Sequence, residues 1–360
     1  MDAAADALRS VVGRFAIDGI FSGARRHGAG RVNDTFVGTF VHAGTVRRYV
    51  HQRINERAFR NVEALMENVE RVTAHLREKD RAPRTLTLVP TSDGATHVAD
   101  GFGGHWRTYE FIEDAASYDV AESPGRAYEA ARAFGDFSRR LLDLKDPPLH
   151  ETIPRFHDTE YRVARLVESA HADAHGRAAH AVAEMQFALD RRALAHVLPV
   201  LAPRVVHNDT KIDNVLFDAR GRAICVVDLD TVMPGSIFSD FGDLVRTAAA
   251  SAPEDEPHLD EVVIRADLFE AVASGFAQGL GDALERDARE HMLDAAEVIT
   301  FEQGVRFLTD HLDGDRYYGG VTSGQNLHRA RVQFALLRSM EEQRGDLGGI
   351  ARRAFARVSR

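Results

Sequence analysis

A chain of 360 residues is long enough to bury two substantial cores, and 44% hydrophobic with 28% charged residues is an ordinary globular composition. A net charge of -10 at pH 7 argues against a nucleic-acid partner, and one cysteine, Cys225 in an apolar run, excludes an internal disulfide framework and a cysteine-rich zinc site. No apolar run approaches the roughly 18 residues of a membrane span, and the acidic N-terminus lacks the regions of a signal peptide, so a cytoplasmic protein without a membrane partner is expected.

In chain order, residues 4–17 carry apolar residues at helical spacing. Gly28-Ala29-Gly30-Arg31-Val32-Asn33 leads into an alternating run through Val41, a turn at Ala43-Gly44, and a second strand from Val46 to His51. A glycine-rich β-turn-β unit lies over nucleotide phosphates in kinases, which makes Gly28 and Gly30 candidate phosphate neighbours; alone, it is also the pattern of a plain hairpin. Where a kinase would supply a lysine, the strand reads Arg47-Arg48-Tyr49-Val50-His51-Gln52-Arg53 and has none. Alternation sends Gln52 and Arg53 to opposite faces, so only one readily meets the nucleotide; charge favours Arg53, while strand phase can favour Gln52.

Asn61 to Lys79 has an apolar stripe at Val62, Leu65, Met66, Val69, Val72 and Leu76, which core packing explains. Of its acidic residues, Glu67 is preferred over Glu63 and Glu70 as partner for the phosphate-contacting base. Three strands are expected at Leu86 to Pro90, His97 to Asp100 and His105 to Ile112. The last runs into Glu113-Asp114-Ala115-Ala116, a short linker suited to an inter-lobe hinge, so Glu110 and Ile112 are candidates to pair with adenine. From Pro124 the chain is mostly helical, over 125–144, 158–174, 178–198, 240–250, 259–279, 283–310 and 328–342. Ala252-Pro253-Glu254-Asp255-Glu256-Pro257 reads as an exposed acidic loop. His171, His175 and His180 have no acidic or cysteine partners at ligand spacing, so no metal is expected there.

The chemistry concentrates in Val205 to Thr231. Val215-Leu216-Phe217 and Ile224-Cys225-Val226-Val227 flank a turn at Asp218 to Gly221, the pattern of a β-hairpin. His207-Asn208-Asp209 precedes it, Asn214 opens it and Asp228 follows it, which is H-x-D-x-x-x-x-N, then strand-Asp. Phosphoryl transfer needs these types: a carboxylate (Asp209) for the acceptor hydroxyl's proton, and hard oxygens (Asn214, Asp228) to hold Mg²⁺ against ATP phosphates. Lys211, one of three lysines against 42 arginines, stands where an ammonium faces the transferred phosphoryl group. Ser239-Asp240-Phe241-Gly242 spells D-F-G but lies too far beyond Asn214, after Met233-Pro234-Gly235-Ser236, which reads as a loop. The metal is therefore assigned to Asp228, and Asp240 and Asp243 are left as loop-bracing carboxylates or helix N-terminal charges.

GAGRVNDTF (28–36), YVHQRINERAFRNVEALMENV (49–69), WRTYEFIEDAASYD (106–119), VVHNDTKIDNVLFD (205–218), CVVDLDTVMPGSIFSDFGDLVRTAA (225–249) and FEQGVRFLTDHLDGDRYY (301–318) run in order along nearly the whole chain. In these segments it resembles the N-acetylhexosamine 1-kinases, in the aminoglycoside-phosphotransferase-like branch of the protein-kinase-like fold. The resemblance implies an α+β bilobal protein, with residues 1–112 as a β-rich nucleotide-covering lobe and 113–360 as a helical lobe. It implies ATP- and Mg²⁺-dependent phosphorylation of the anomeric 1-hydroxyl of a hexosamine such as N-acetylglucosamine or N-acetylgalactosamine; a monomer or weak dimer is expected. Asp209 would then be the base, Asn214 and Asp228 the metal ligands, and Asp230 would lie beside metal and sugar. Arg306 would reach the sugar, with Asn33, Arg246 and Tyr317 as further acceptor-pocket candidates. The rivals are a kinase for another small hydroxyl substrate (another sugar, an aminoglycoside or an amino alcohol) and a non-catalytic ATP-binding pseudokinase. Asp310, Asp313 and Asp315 are the acids that would begin a polycation pocket.

Overall fold

The computed structural model describes residues 3–27, 32–79, 84–144, 146–319, 322 and 324–356. Gly28 and Gly30 lie outside the described residues. The chain divides into two compact units, Met1–Ala115 with Leu149–Ile153, and Ala116–Pro148 with Pro154–Arg360.

The first unit starts with α1 (Ala3–Val11), which ends sooner than its periodicity predicts: a single 3₁₀ turn follows and Phe15 is already extended. Strands β1 (Ile20–Arg26), β2 (Asp34–His42) and β3 (Thr45–Arg53), helix α2 (Val62–Glu78), β4 (Val98–Ala99) and β5 (His105–Glu110) complete it. The antiparallel sheet runs β1-β2-β3-β5-β4. Ala43 and Gly44 both take positive φ, the two-residue turn that matches strand twist, and this fixes Phe36 opposite His51 and Thr35 opposite Gln52. One sheet face, with Phe36, Phe40, Tyr49 and Trp106, packs on Leu8, Val11, Val12 and Phe15. Thr35, Gln52 and Arg107 share the opposite face, where Arg107 reaches Met66 of α2. Helix α2 matches its predicted stripe, and its N-cap Asn61 Oδ1 accepts the Ala64 N–H at 3.0 Å. Leu86 to Pro90 is not a strand: a bridge from Leu88 to Tyr109 and two flanking hydrogen bonds are its pairing with β5, and Pro90 has no N–H to extend the ladder.

His51 is fully buried between Phe15 and Phe40, with Nδ1 2.8 Å from Thr108 Oγ1. Position 38 must be glycine beside it, because a Cβ there would stand 2.5 Å from His51 Nε2. Burial takes the imidazole from 6.5 down to about 4. Between those values the unfolded chain binds a proton that the folded one refuses. Stability is therefore full above pH 6.5 and falls as pH drops towards 4, by about 3 kcal/mol. Urea midpoints measured across this range should show the loss, and His51→Leu should flatten its slope by one proton. An unchanged slope in that variant would assign the acid sensitivity elsewhere.

The second unit contains α3 (Pro124–Arg140), α4 (Thr159–Ala172), α5 (Val182–Asp190), the short strands β6 (Arg204–Val206), β7 (Val215–Phe217), β8 (Ala223–Val226) and β9 (Met233–Gly235), and then α6 (Ile237–Ala248), α7 (Ala266–Leu280), α8 (Arg286–Glu290), α9 (Met292–Leu312), α10 (Gln325–Glu342) and α11 (Arg344–Ala356). Helices α3 and α7 meet backbone to backbone: Cβ atoms added at Gly275 and Gly279 would each lie 2.3 Å from a carbonyl oxygen, of Tyr128 and Arg132. Three long predicted helices are broken into α and 3₁₀ pieces, at 178–198, 259–279 and 283–310. Helix α11 is an addition to the sequence reading. Its buried face, Leu347, Ile350, Ala351, Ala354 and Phe355, keeps i, i+3, i+4, i+7, i+8 spacing beneath the arginines that dominate that stretch. Met233–Gly235, expected as loop, pairs antiparallel with β6, its Pro234 opposite Val205. Cys225 is buried. Among the described residues no helix is long and apolar enough to cross a membrane.

Candidate active site

The loop after β6 is built from its bracing inward. His207 is fully buried between Phe134 and Phe137; its Nε2–H donates to Val227 O at 3.0 Å, while Nδ1 accepts the Asp209 N–H at 3.3 Å. One donor and one acceptor tie both ring nitrogens to the loop, a structural task. Asn208 turns through positive φ (64°) and donates its amide to Thr231 O. Asp240, in the first turn of α6, accepts the backbone N–H groups of His207 (3.0 Å) and Asn208 (2.7 Å). Asp240-Phe241-Gly242 is thus helix, with Gly242 against the Ala295 carbonyl, and Asp240 is the loop brace expected of it. Burial raises the pKa of Asp240, with His207 opposing.

On this frame stands Asp209. Asn214, in the 3₁₀ turn before β7, donates its Nδ2 to the Asp209 backbone oxygen (2.8 Å) and to Oδ2 (3.1 Å), and Lys211 Nζ lies 3.3 Å from the same Oδ2. Burial pushes the Asp209 carboxyl up, but Lys211, His207 and Arg246 together hold it below the usual aspartate value. Burial likewise works against the Lys211 ammonium, and Asp209, Asp213, Glu254 and Asp228 outweigh it, so its pKa rises. A lysine in the field of four carboxylates stays charged. The β7–β8 hairpin pairs Val215 with Val226 and delivers Asp228 at its far end in a left-handed conformation, φ 58°. Asp230 is buried in the 3₁₀ turn that follows.

Two acceptor-side candidates behave differently. Arg246 is buried and ion-paired to Asp243 (2.6 Å) and Glu254, and these acids raise its pKa against the effect of burial. Arg306 lies 4.5 Å over the Phe156 ring, bonds Gln303 Oε1 at 3.1 Å, and sits close enough to Tyr317, Tyr318 and Glu302 for them to raise its pKa against burial. Burial pushes the Tyr318 hydroxyl up to about 12. Tyr317 is largely exposed. Its loop is shaped by Asp310, whose carboxylate accepts the N–H groups of Arg316, Tyr317 and Tyr318 and the amide of Asn326. Asp315 pairs with Arg177 and Asp313 with Arg165. The three acids that would begin a polycation pocket are therefore engaged within the protein.

In the first unit, Arg53 ion-pairs with buried Asp100 at 3.2 Å, beside Trp106 on the face covered by α1. Arg53 therefore lies on the α1 side of the sheet. Gln52 occupies the other face, and the cation beside it is Arg107, whose Nε donates to Gln52 Oε1 at 3.0 Å. Glu67 turns to His150 at 2.8 Å on an exposed surface, not to this pair. Asn33 Oδ1 accepts the Asn55 N–H at 3.0 Å. The Glu110 N–H is taken by Thr87 O, whereas among the described residues the Ile112 backbone makes no hydrogen bond.

Sequence reasoning missed Arg107, Asp213, Glu254 and a buried pair behind the loop, His157 and Glu302. His157 Nδ1 is 2.8 Å from Glu302 Oε1 and Nε2 is 3.0 Å from the Asn208 carbonyl, while Thr159 donates to the other Glu302 oxygen. Nothing local signals this pairing, since the partners are 145 residues apart. Glu254 was read as part of an exposed loop; its attraction to Arg246 folds it inward.

A profile described as the phosphotransferase enzyme family, APH, matches residues 23–291. The chain belongs to the phosphotransferase enzyme family. Among solved structures it is similar to a microcompartment-associated aminopropanol kinase, at 15% identity, covering 96% of this chain and 99% of that one with a TM-score of 0.60. A spectinomycin phosphotransferase, solved with ADP and spectinomycin, matches at 12% identity over 92% and 96%, TM-score 0.55. A choline kinase from Cryptosporidium parvum matches at 13% identity over 91% and 90%, TM-score 0.51. At these identities the likeness carries the fold alone: this phosphotransferase has the α+β kinase-like architecture, with an antiparallel sheet in one unit and helices in the other.

Proposed function

We propose that this phosphotransferase moves the γ-phosphoryl group of ATP to the anomeric 1-hydroxyl of an N-acetylhexosamine. The observation that carries the transfer chemistry is the meeting of Asp209, Lys211 and Asn214 within hydrogen-bond and ion-pair distance. Asp209 orients the acceptor hydroxyl and takes its proton as the oxygen attacks phosphorus, and Lys211 offsets charge on the moving phosphoryl group. Asn214 commits its amide N–H₂ to Asp209, which leaves the amide oxygen, with the Asp228 carboxylate, as the hard donor set Mg²⁺ prefers. When bound, Mg²⁺ would neutralise charge on the ATP phosphates. In this reading residues 1–112 cover the nucleotide, with Gln52 and Arg107 on the phosphate side and Ile112 at the adenine. Residues 113–360 perform the transfer.

Arg306 with Tyr317 and Tyr318 supports a neutral sugar acceptor, because a fork-like donor and aromatic faces suit hydroxyls and a pyranose ring. Arg246, held by two carboxylates, acts on the Asp209 carboxyl, and Asp230 would lie beside metal and sugar. One observation favours a second reading, an amino alcohol. Among the described residues Asp213 Oδ1 is buried with no hydrogen-bond partner, and burial together with Asp209, Glu254 and Asp119 raises its pKa against the pull of Lys211, an environment that a second ammonium would relieve. A transfer assay with ATP and Mg²⁺ against N-acetylglucosamine, N-acetylgalactosamine, glucose, galactose, kanamycin and aminopropanol separates the two. A 1-phosphate on an N-acetylhexosamine, placed by phosphorus–proton NMR, is the expected result. Turnover confined to aminopropanol or kanamycin would overturn the sugar assignment, and ATP binding without any transfer would favour a pseudokinase.

A further inference from the structure

Away from these residues, the first unit brings together two imidazoles and a carboxylate from three elements. Glu63 stands in the first turn of α2, His97 just before β4, and His105 at the start of β5. One ligand atom from each lies within 4.8 Å of the others. We propose that Glu63, His97 and His105 form a site for a borderline divalent cation of the zinc class, separate from the phosphoryl-transfer residues.

The donor chemistry selects the ion. Two neutral nitrogens and one carboxylate suit Zn²⁺ and its first-row neighbours, whereas Mg²⁺ and Ca²⁺ require oxygen sets. His105 also has the support expected of a ligand. Its Nδ1 is 2.9 Å from Glu56 Oε1, so the carboxylate fixes the tautomer and aims Nε2 outward, the carboxylate–histidine–metal arrangement. His97 Nδ1 is likewise held, 3.2 Å from Thr96 Oγ1, and the two rings tilt towards each other with centroids 5.5 Å apart. Ligands of a tetrahedral ion at about 2.0–2.2 Å stand roughly 3.4 Å from one another. Glu63 is exposed, so its carboxylate can rotate towards the two imidazoles, and solvent has access for a fourth ligand. Bound there, the ion would tie the start of α2 to the β4–β5 hairpin. Those segments are brought together by the fold from 42 residues of sequence, so a cation bridging them stabilises the folded unit over the open chain.

The test is titration of the full-length, metal-stripped protein with Co²⁺ and then Zn²⁺, without nucleotide. One equivalent of Co²⁺ should give the visible absorption of a tetrahedral or five-coordinate nitrogen–oxygen site, Zn²⁺ should displace it, and Zn²⁺ should raise the melting temperature. His97→Gln and His105→Gln should each lose the spectrum and weaken Zn²⁺ binding at least tenfold, Glu63→Gln less so, while Asp228→Asn keeps it. Circular dichroism and unchanged metal-free melting of the histidine variants would establish that they are folded. A one-equivalent signal that survives both histidine substitutions would overturn the assignment. So would a signal lost in Asp228→Asn, or the absence of saturable Co²⁺ binding to the intact chain.

Discussion

Asp209→Asn is expected to fold normally, bind nucleotide and acceptor, and lose about 10³-fold or more of its turnover. The range for one proton-transferring group is about 10²–10⁴, and here the same carboxylate also orients the hydroxyl. The substitution is nearly isosteric, and Asn214 keeps its second anchor, the Asp209 backbone oxygen at 2.8 Å, so geometry survives while the proton acceptor is removed. Lys211 loses its nearest counter-charge but still lies in the field of Asp213, Glu254 and Asp228. The measurement is kcat beside nucleotide and acceptor Kd for both proteins. If kcat stays within a few-fold of the parent, Asp209 is not the base.

The second large effect belongs to a residue that touches no reactant. Asp240→Ala should destabilise the protein by about 4 kcal/mol, because it strips the acceptors from two buried N–H groups at about 1–3 kcal/mol each. It should also lower kcat, since those groups belong to His207 and Asn208, immediately before the proposed base. The left-handed turn at Asn208 has other supports, the Asn208 amide on Thr231 and the His157 ring on the Asn208 carbonyl, so the loop should be displaced and not dissolved. Asp240→Asn keeps one acceptor oxygen and should lie between parent and alanine in both readouts. Chemical denaturation and kcat, measured on all three, check the ordering; equal stability of parent and alanine variant would dismiss the bracing role.

What was legible in the sequence was whatever is encoded within a few residues. The hairpin, the spacing of Asp209, Asn214 and Asp228 around it, the stripe of α2 and the Ala43-Gly44 turn all depend on local spacing and turn chemistry. What escaped was set by partners brought together only by the folded structure. Which of Gln52 and Arg53 would face α2 depended on Asp100 and Trp106 claiming the opposite sheet face. Glu254 looked solvated until Arg246, eight residues earlier, was seen buried and in need of a counter-charge. Asp310 looked like pocket acid, yet its oxygens are spent on backbone N–H groups six to eight residues on. The helix breaks inside 178–198 escape for a related reason: apolar spacing persists through the 3₁₀ turns at Ala178–His180 and Arg192–His196, so periodicity does not report where an α-helix stops.

The position of Asp240 also separates the motif from the machine during synthesis. By the time Asp228 has been added to a growing chain, every residue of the catalytic pattern is present. The carboxylate that accepts the loop's N–H groups arrives twelve residues later, and it becomes useful only once α6 has formed and docked. A nascent or truncated chain ending at Gly235 would carry the complete signature and none of its brace. Recognising the motif in a gene fragment therefore identifies ancestry, while the loop that carries it gains its brace only when the helix after it is in place.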